Sequence, residues 1–85
     1  MRTSNATIHI LQRIYMITLA QIQNKLSEAI KYCGLTQTEL AHRLGITQPC
    51  ITHYKKGRKM PALDTFANLC KVLDLDIYDI LCINE

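Results

Sequence analysis

The chain has 85 residues, 48% of them hydrophobic and 20% charged, with only three Gly and two Pro. That is the make-up of one small folded domain: too apolar for a disordered chain, too irregular for a fibre, too short for two cores. The net charge of +3 is modest but segregated: residues 40–61 hold five cations (Arg43, Lys55, Lys56, Arg58, Lys59) and no acid, while residues 62–85 hold five acids against Lys71.

Residues 1–15 read as an appended N-terminal arm. Ile8, Ile10 and Ile14 suit a strand until Leu11 breaks the alternation, and Ile10, Ile14 and Ile17 suit a helix equally well. These isoleucines need a partner surface, which makes the arm a candidate dimerisation element. Its polar opening, with no apolar signal core and cleavage site behind it, leads us to expect no secretory leader. The domain proper is expected over residues 16–85.

Helical punctuation then follows in order. Leu19, Ile22, Leu26, Ala29, Ile30 and Cys33 recur every three or four positions as the stripe of an amphipathic first helix, with Gly34 as its stop. Thr36-Gln37-Thr38-Glu39 forms a capping box, in which Thr36 accepts from the Glu39 N–H and the Glu39 side chain reaches back. Leu40, Ala41 and Leu44 give the second helix its apolar face, and Gly45 ends it. Thr47 is the expected N-cap of a third helix over 48–56, its hydroxyl accepting from the Cys50 N–H because Pro49 has none. Gly57 closes that helix, and Pro61 ends a basic loop. Leu63, Phe66, Ala67, Cys70 and Leu73 mark a fourth helix with Asp64 at its positive end. Asp76 and Asp79 frame a short fifth one carrying Ile77, Ile80 and Leu81. The expected fold class is all-α, five short helices in one domain.

The chemistry sits where the second and third helices meet. Ala41 is small enough for close helix contact, Gly45 tolerates a positive φ, and Leu44, Ile46, Ile51 and Tyr54 can lock one helix onto the other. On the third helix Cys50, Ile51 and Tyr54 share an inward face. Gln48, Pro49, Thr52, His53 and Lys56 share the outward one. An outward face with an amide, a hydroxyl, an imidazole and an ammonium, and no carboxylate, suits base edges and phosphates in a major groove. Gln48 is the strongest base reader, since its amide can bond adenine N6 and N7 together.

With those residues in view, residues 36–81 resemble the Cro/phage-repressor (XRE-type) helix-turn-helix family. The matching run is Gly34 to Ala41, then Leu44-Gly45-Ile46-Thr47-Gln48, Ile51, Gly57, Pro61 and Leu75 to Leu81. The resemblance implies a compact five-helix, lambda-repressor-like domain that binds double-stranded DNA as a homodimer on a palindromic operator. It implies that Gln37 and Thr47 touch phosphate at helix N-termini, that Gln48, Pro49, Thr52 and His53 face bases, and that Lys56, Arg58 and Lys59 hold the backbone. The chain departs from the family in three places. Lys55 stands where relatives often have a Glu paired to a first-helix Arg, so Lys55 is expected to add to phosphate attraction. Asp74 stands where Gly is usual, so it either adopts the left-handed conformation or the fourth helix ends differently. Pro49 leaves only apolar contact at its position.

Other classes are less well supplied. His9, His42 and His53 form no nucleophile–base pairing, and no Gly-rich phosphate loop occurs, so no enzyme and no cofactor are expected. Cys50 and His53 are three apart but point to opposite sides, so no metal is expected. Cys33, Cys50, Cys70 and Cys82 show no Cys-x-x-Cys and read as reduced, mostly buried thiols of a cytoplasmic protein. No apolar run approaches the ~18 residues of a membrane span. The expected role is therefore a transcriptional regulator, as a repressor. The alternative is an antitoxin-like or accessory protein-interaction module whose DNA binding is secondary.

Overall fold

A computed structural model of the chain describes residues 16–83; the N-terminal arm lies outside them. Among the described residues there are five helices and no strand: α1 (Leu19–Lys31), α2 (Gln37–Leu44), α3 (Gln48–Lys55), α4 (Leu63–Val72) and α5 (Ile77–Ile80). Three of them begin at a side-chain cap. Thr18 caps α1 through a full capping box with Gln21, at 3.2 Å and 2.9 Å. At α2 only the forward half of the expected box forms, Thr36 Oγ1 accepting from the Glu39 N–H at 3.1 Å. Asp76 caps α5 by accepting from the Tyr78 and Asp79 amides.

Four of the five helices end alike. At α2 the Ile46 N–H reaches back to Ala41 O and the Gly45 N–H to His42 O, with Gly45 left-handed at φ 66°. This is the Schellman arrangement, in which a positive-φ residue lets two later amides satisfy carbonyls that the helix leaves open. Gly57 serves α3 in the same way. At α4 the positive-φ residue is Asp74 (φ 52°), with Leu75 N–H on Cys70 O at 2.8 Å. Asp74 thus takes up the left-handed position itself. Cys82 (φ 61°) does so after α5.

The core is one cluster: Leu26 and Ile30 from α1, Leu40 and Ala41 from α2, Ile51 from α3, Phe66, Leu69 and Cys70 from α4, and Ile80 from α5. α3 packs against both α1 and α2, α2 against α4, and α1 against α5. Ile51 therefore lies wholly buried between α1 and α2. Two stripes are shifted from their expected registers. Leu19 is exposed, so the α1 stripe begins at Ile22; Leu63 is 84% exposed and Ala67 is exposed, while Leu69 is fully buried. A three-or-four repeat in α4 can be centred on 63/66/67/70 or on 66/69/70/73. The partner helices select the second. Lys25 on α1 and Asp79 on α5 form an ion pair at 3.4 Å across the far side. No helix among the described residues is long and apolar enough to cross a membrane.

Candidate nucleic-acid interface

The turn between α2 and α3 holds two short helices at a fixed angle through Gly45, Ile46 and Thr47. Leu44, Ile46 and Tyr54 are half-buried and pack against the core cluster, as their spacing implies. Burial pushes the Tyr54 hydroxyl above its ordinary value of 10.0, with nearby Cys50 and Asp64 adding to the rise, so it stays neutral as an anchor should.

At the start of α3, Gln48 and Pro49 are exposed. Beyond its end Lys56, Arg58 and Lys59 are exposed as well, on the segment that Gly57 turns out of the helix. Other expected site residues are more engaged. Thr47 is exposed, but its hydroxyl does not cap α3. It donates instead to the Cys50 sulfur at 3.2 Å, and the Cys50 N–H takes the Thr47 carbonyl at 3.1 Å. Pro49 removes one first-turn amide and the backbone claims the next, which leaves the hydroxyl nothing to accept.

Thr52 and His53 are half-buried rather than fully outward. Thr52 donates to Gln37 Oε1 at 3.0 Å, joining α3 to the half-buried first residue of α2. His53 has its Nδ1 buried without a hydrogen-bond partner. It flanks Cys50 on the helix wheel, at the edge of the packed face rather than opposite it. Lys55 is half-buried because it lies four positions after Ile51, on the inner face. Its carbonyl, one of those left open at the end of α3, accepts a hydrogen bond from the Ser27 hydroxyl of α1. Ser27 was not legible as part of this site. Its signal was a lone hydroxyl residue beside the apolar stripe of α1. Among the described residues no group of three or more His, Cys, Asp or Glu side chains is placed to hold a metal ion.

Two short helices locked at a glycine turn, the second with an acid-free outer face and a cationic flank, define a helix-turn-helix protein. The helix-turn-helix family model matches residues 25–80, and the chain belongs to that family, in its Cro/phage-repressor (XRE) type, a class of DNA-binding transcription regulators. Among its relatives, an uncharacterized HTH-type transcriptional regulator of Methanothermobacter thermautotrophicus is 39% identical over 56 residues, or 65% of this chain and 81% of its own. The uncharacterized HTH-type transcriptional regulator YqaE of Bacillus subtilis is 38% identical over 55 residues, or 60% of this chain and 47% of its own. Antitoxin HigA1 of Mycobacterium tuberculosis is 36% identical over 44 residues, or 52% and 30%. The chain thus spans less than half the length of the last two. No solved structure matches it significantly.

Proposed function

We propose that the chain is a sequence-specific repressor of transcription that acts in the cytoplasm. It binds double-stranded DNA as a homodimer, each copy setting α3 into the major groove over one half of a palindromic operator. Gln48 reads a base edge through its amide, Pro49 and the Thr52 methyl group offer apolar contact, and His53 lies beside them over the bases. Gln37, Thr47, Lys55, Lys56, Arg58 and Lys59 meet phosphates on either side. The observation that carries this reading is the exposed start of α3, Gln48 and Pro49, together with exposed Lys56, Arg58 and Lys59 at and beyond its end, in a span from residue 40 to 61 that contains no acid. Such a face loses nothing to charge repulsion as it approaches phosphate.

Selection of bound duplexes from a random pool tests it. A palindrome should be enriched, and repeated selection without enrichment overturns the proposal. Likeness to an antitoxin favours a second reading, a module whose main partner is a protein and whose DNA binding is subsidiary. In that case the chain enriches no site over a scrambled duplex.

A further inference from the structure

Thr52 is placed on the outer side of α3, yet its hydroxyl is not free. Gln37 Oε1 lies at 3.0 Å and the Gln48 carbonyl at 3.3 Å, both of them acceptors. A hydroxyl has a single proton, so the nearer oxygen, on Gln37, holds it. The bond joins the first residue of α2 to the middle of α3, across fifteen positions of sequence.

We propose that the Thr52 hydroxyl is a positioning group: it orients the Gln37 carboxamide as a phosphate donor and makes no hydrogen bond to a base edge, which leaves the methyl group its apolar contact. With Oε1 tied to Thr52, the part of Gln37 left for a partner is Nε2, which carries two protons and accepts nothing. A phosphate oxygen only accepts, so this orientation matches it, whereas the flipped amide would set lone pairs against lone pairs. The same bond makes the backbone grip of α2 depend on the seating of α3. This inference rests on the DNA-binding reading above and gives one of its residues a different task.

Its test compares Thr52→Val, Thr52→Ser, Gln37→Ala and the double variant Thr52→Val/Gln37→Ala on a selected duplex and on a scrambled one. Valine keeps the shape of threonine and removes the proton. Thr52→Val should weaken both duplexes by the same factor, roughly fivefold, the worth of one hydrogen bond. Thr52→Ser should restore most of that loss. The double variant should bind no more weakly than Gln37→Ala alone, since the two residues act through one contact. The salt dependence should not change, because a neutral amide displaces no counterion. In the DNA-free protein, the Gln37 side-chain amide should be less ordered in Thr52→Val than in the wild type. A loss confined to the selected duplex, or losses that add in the double variant, means that the Thr52 hydroxyl touches DNA directly and overturns the inference. Wild-type affinity in Thr52→Val overturns it alone. Failure of the wild type to bind either duplex removes the DNA-binding reading and this inference together.

Discussion

Gln48 and Arg58 are both exposed, and the roles proposed for them differ in a way that substitution separates. An amide on a base edge distinguishes one base from another, so Gln48→Ala should cost about 1–3 kcal/mol on the selected duplex and relax preference at one base pair. A guanidinium on phosphate does not distinguish bases. Arg58→Ala should therefore weaken all sequences alike and lower the log–log salt slope by about 1, both read by titration at several ionic strengths. A second residue-scale prediction concerns alkali. Burial pushes the Cys70 thiol above its ordinary value of 9.0 and the Tyr54 hydroxyl above 10.0. Each folded-state value is raised, so the stability from keeping these groups neutral is complete below the unfolded values and is lost as pH climbs through the folded ones. Chemical denaturation should give a stability that falls above pH 9, and Cys70→Ala should flatten the lower part of that fall. At this scale the exposure of Gln48, Lys56 and Arg58 was legible in the sequence, because exposed ends of a short helix need no partner. Thr47, Thr52 and Ser27 were not. Thr52 has two acceptors in reach, Gln37 Oε1 and the Gln48 carbonyl, and the neighbouring element decides between them.

Helix ends carry much of the local specification. Gly45 stands at φ 66°, and a β-carbon built there would meet no atom within 4 Å. The cost of Gly45→Ala is thus conformational rather than steric, about 1 kcal/mol, seen as a lower melting temperature. Asp74 presents the opposite case, an L-residue already in the left-handed region at φ 52°. Asp74→Gly should relieve that strain and stabilise the protein by about 0.5–1 kcal/mol, less what glycine adds to unfolded-state entropy. Caps and stops of this kind are readable from sequence because they act within five residues. The register of α4 was not. Its apolar residues allow two overlapping stripes, and only the packing of α2 against α4 buries Leu69 and leaves Leu63 in solvent.

For the whole molecule, one small core serves every element, so stability and function are tied together. Ile51 belongs to α3 yet is fully buried between α1 and α2. Ile51→Ala should cost about 2–5 kcal/mol, a large share of what a domain this size possesses, and should unfold the helix that would read DNA. Loss of the cooperative thermal transition would show it. The proposed dimer makes a geometric prediction as well. Footprints of the two half-sites should be centred one helical turn apart, ~34–36 Å, and a single protected half without a dyad would contradict it. Truncation to residue 16, followed by sedimentation, asks whether residues 1–15 or residues 80–85 hold the two copies of the proposed dimer together.

Short-range chemistry let the sequence by itself determine the five helices, the glycine turn between α2 and α3, and the charge division that sets cations beside the proposed DNA face. A cap, a positive-φ stop or a run without acids needs no distant partner to take effect. Tertiary structure alone decided how the Thr52 hydroxyl is used, which α4 stripe is buried, and how Ser27 joins α1 to α3. Those choices compare competing partners of similar strength, and only the meeting of helices distant in sequence breaks the tie.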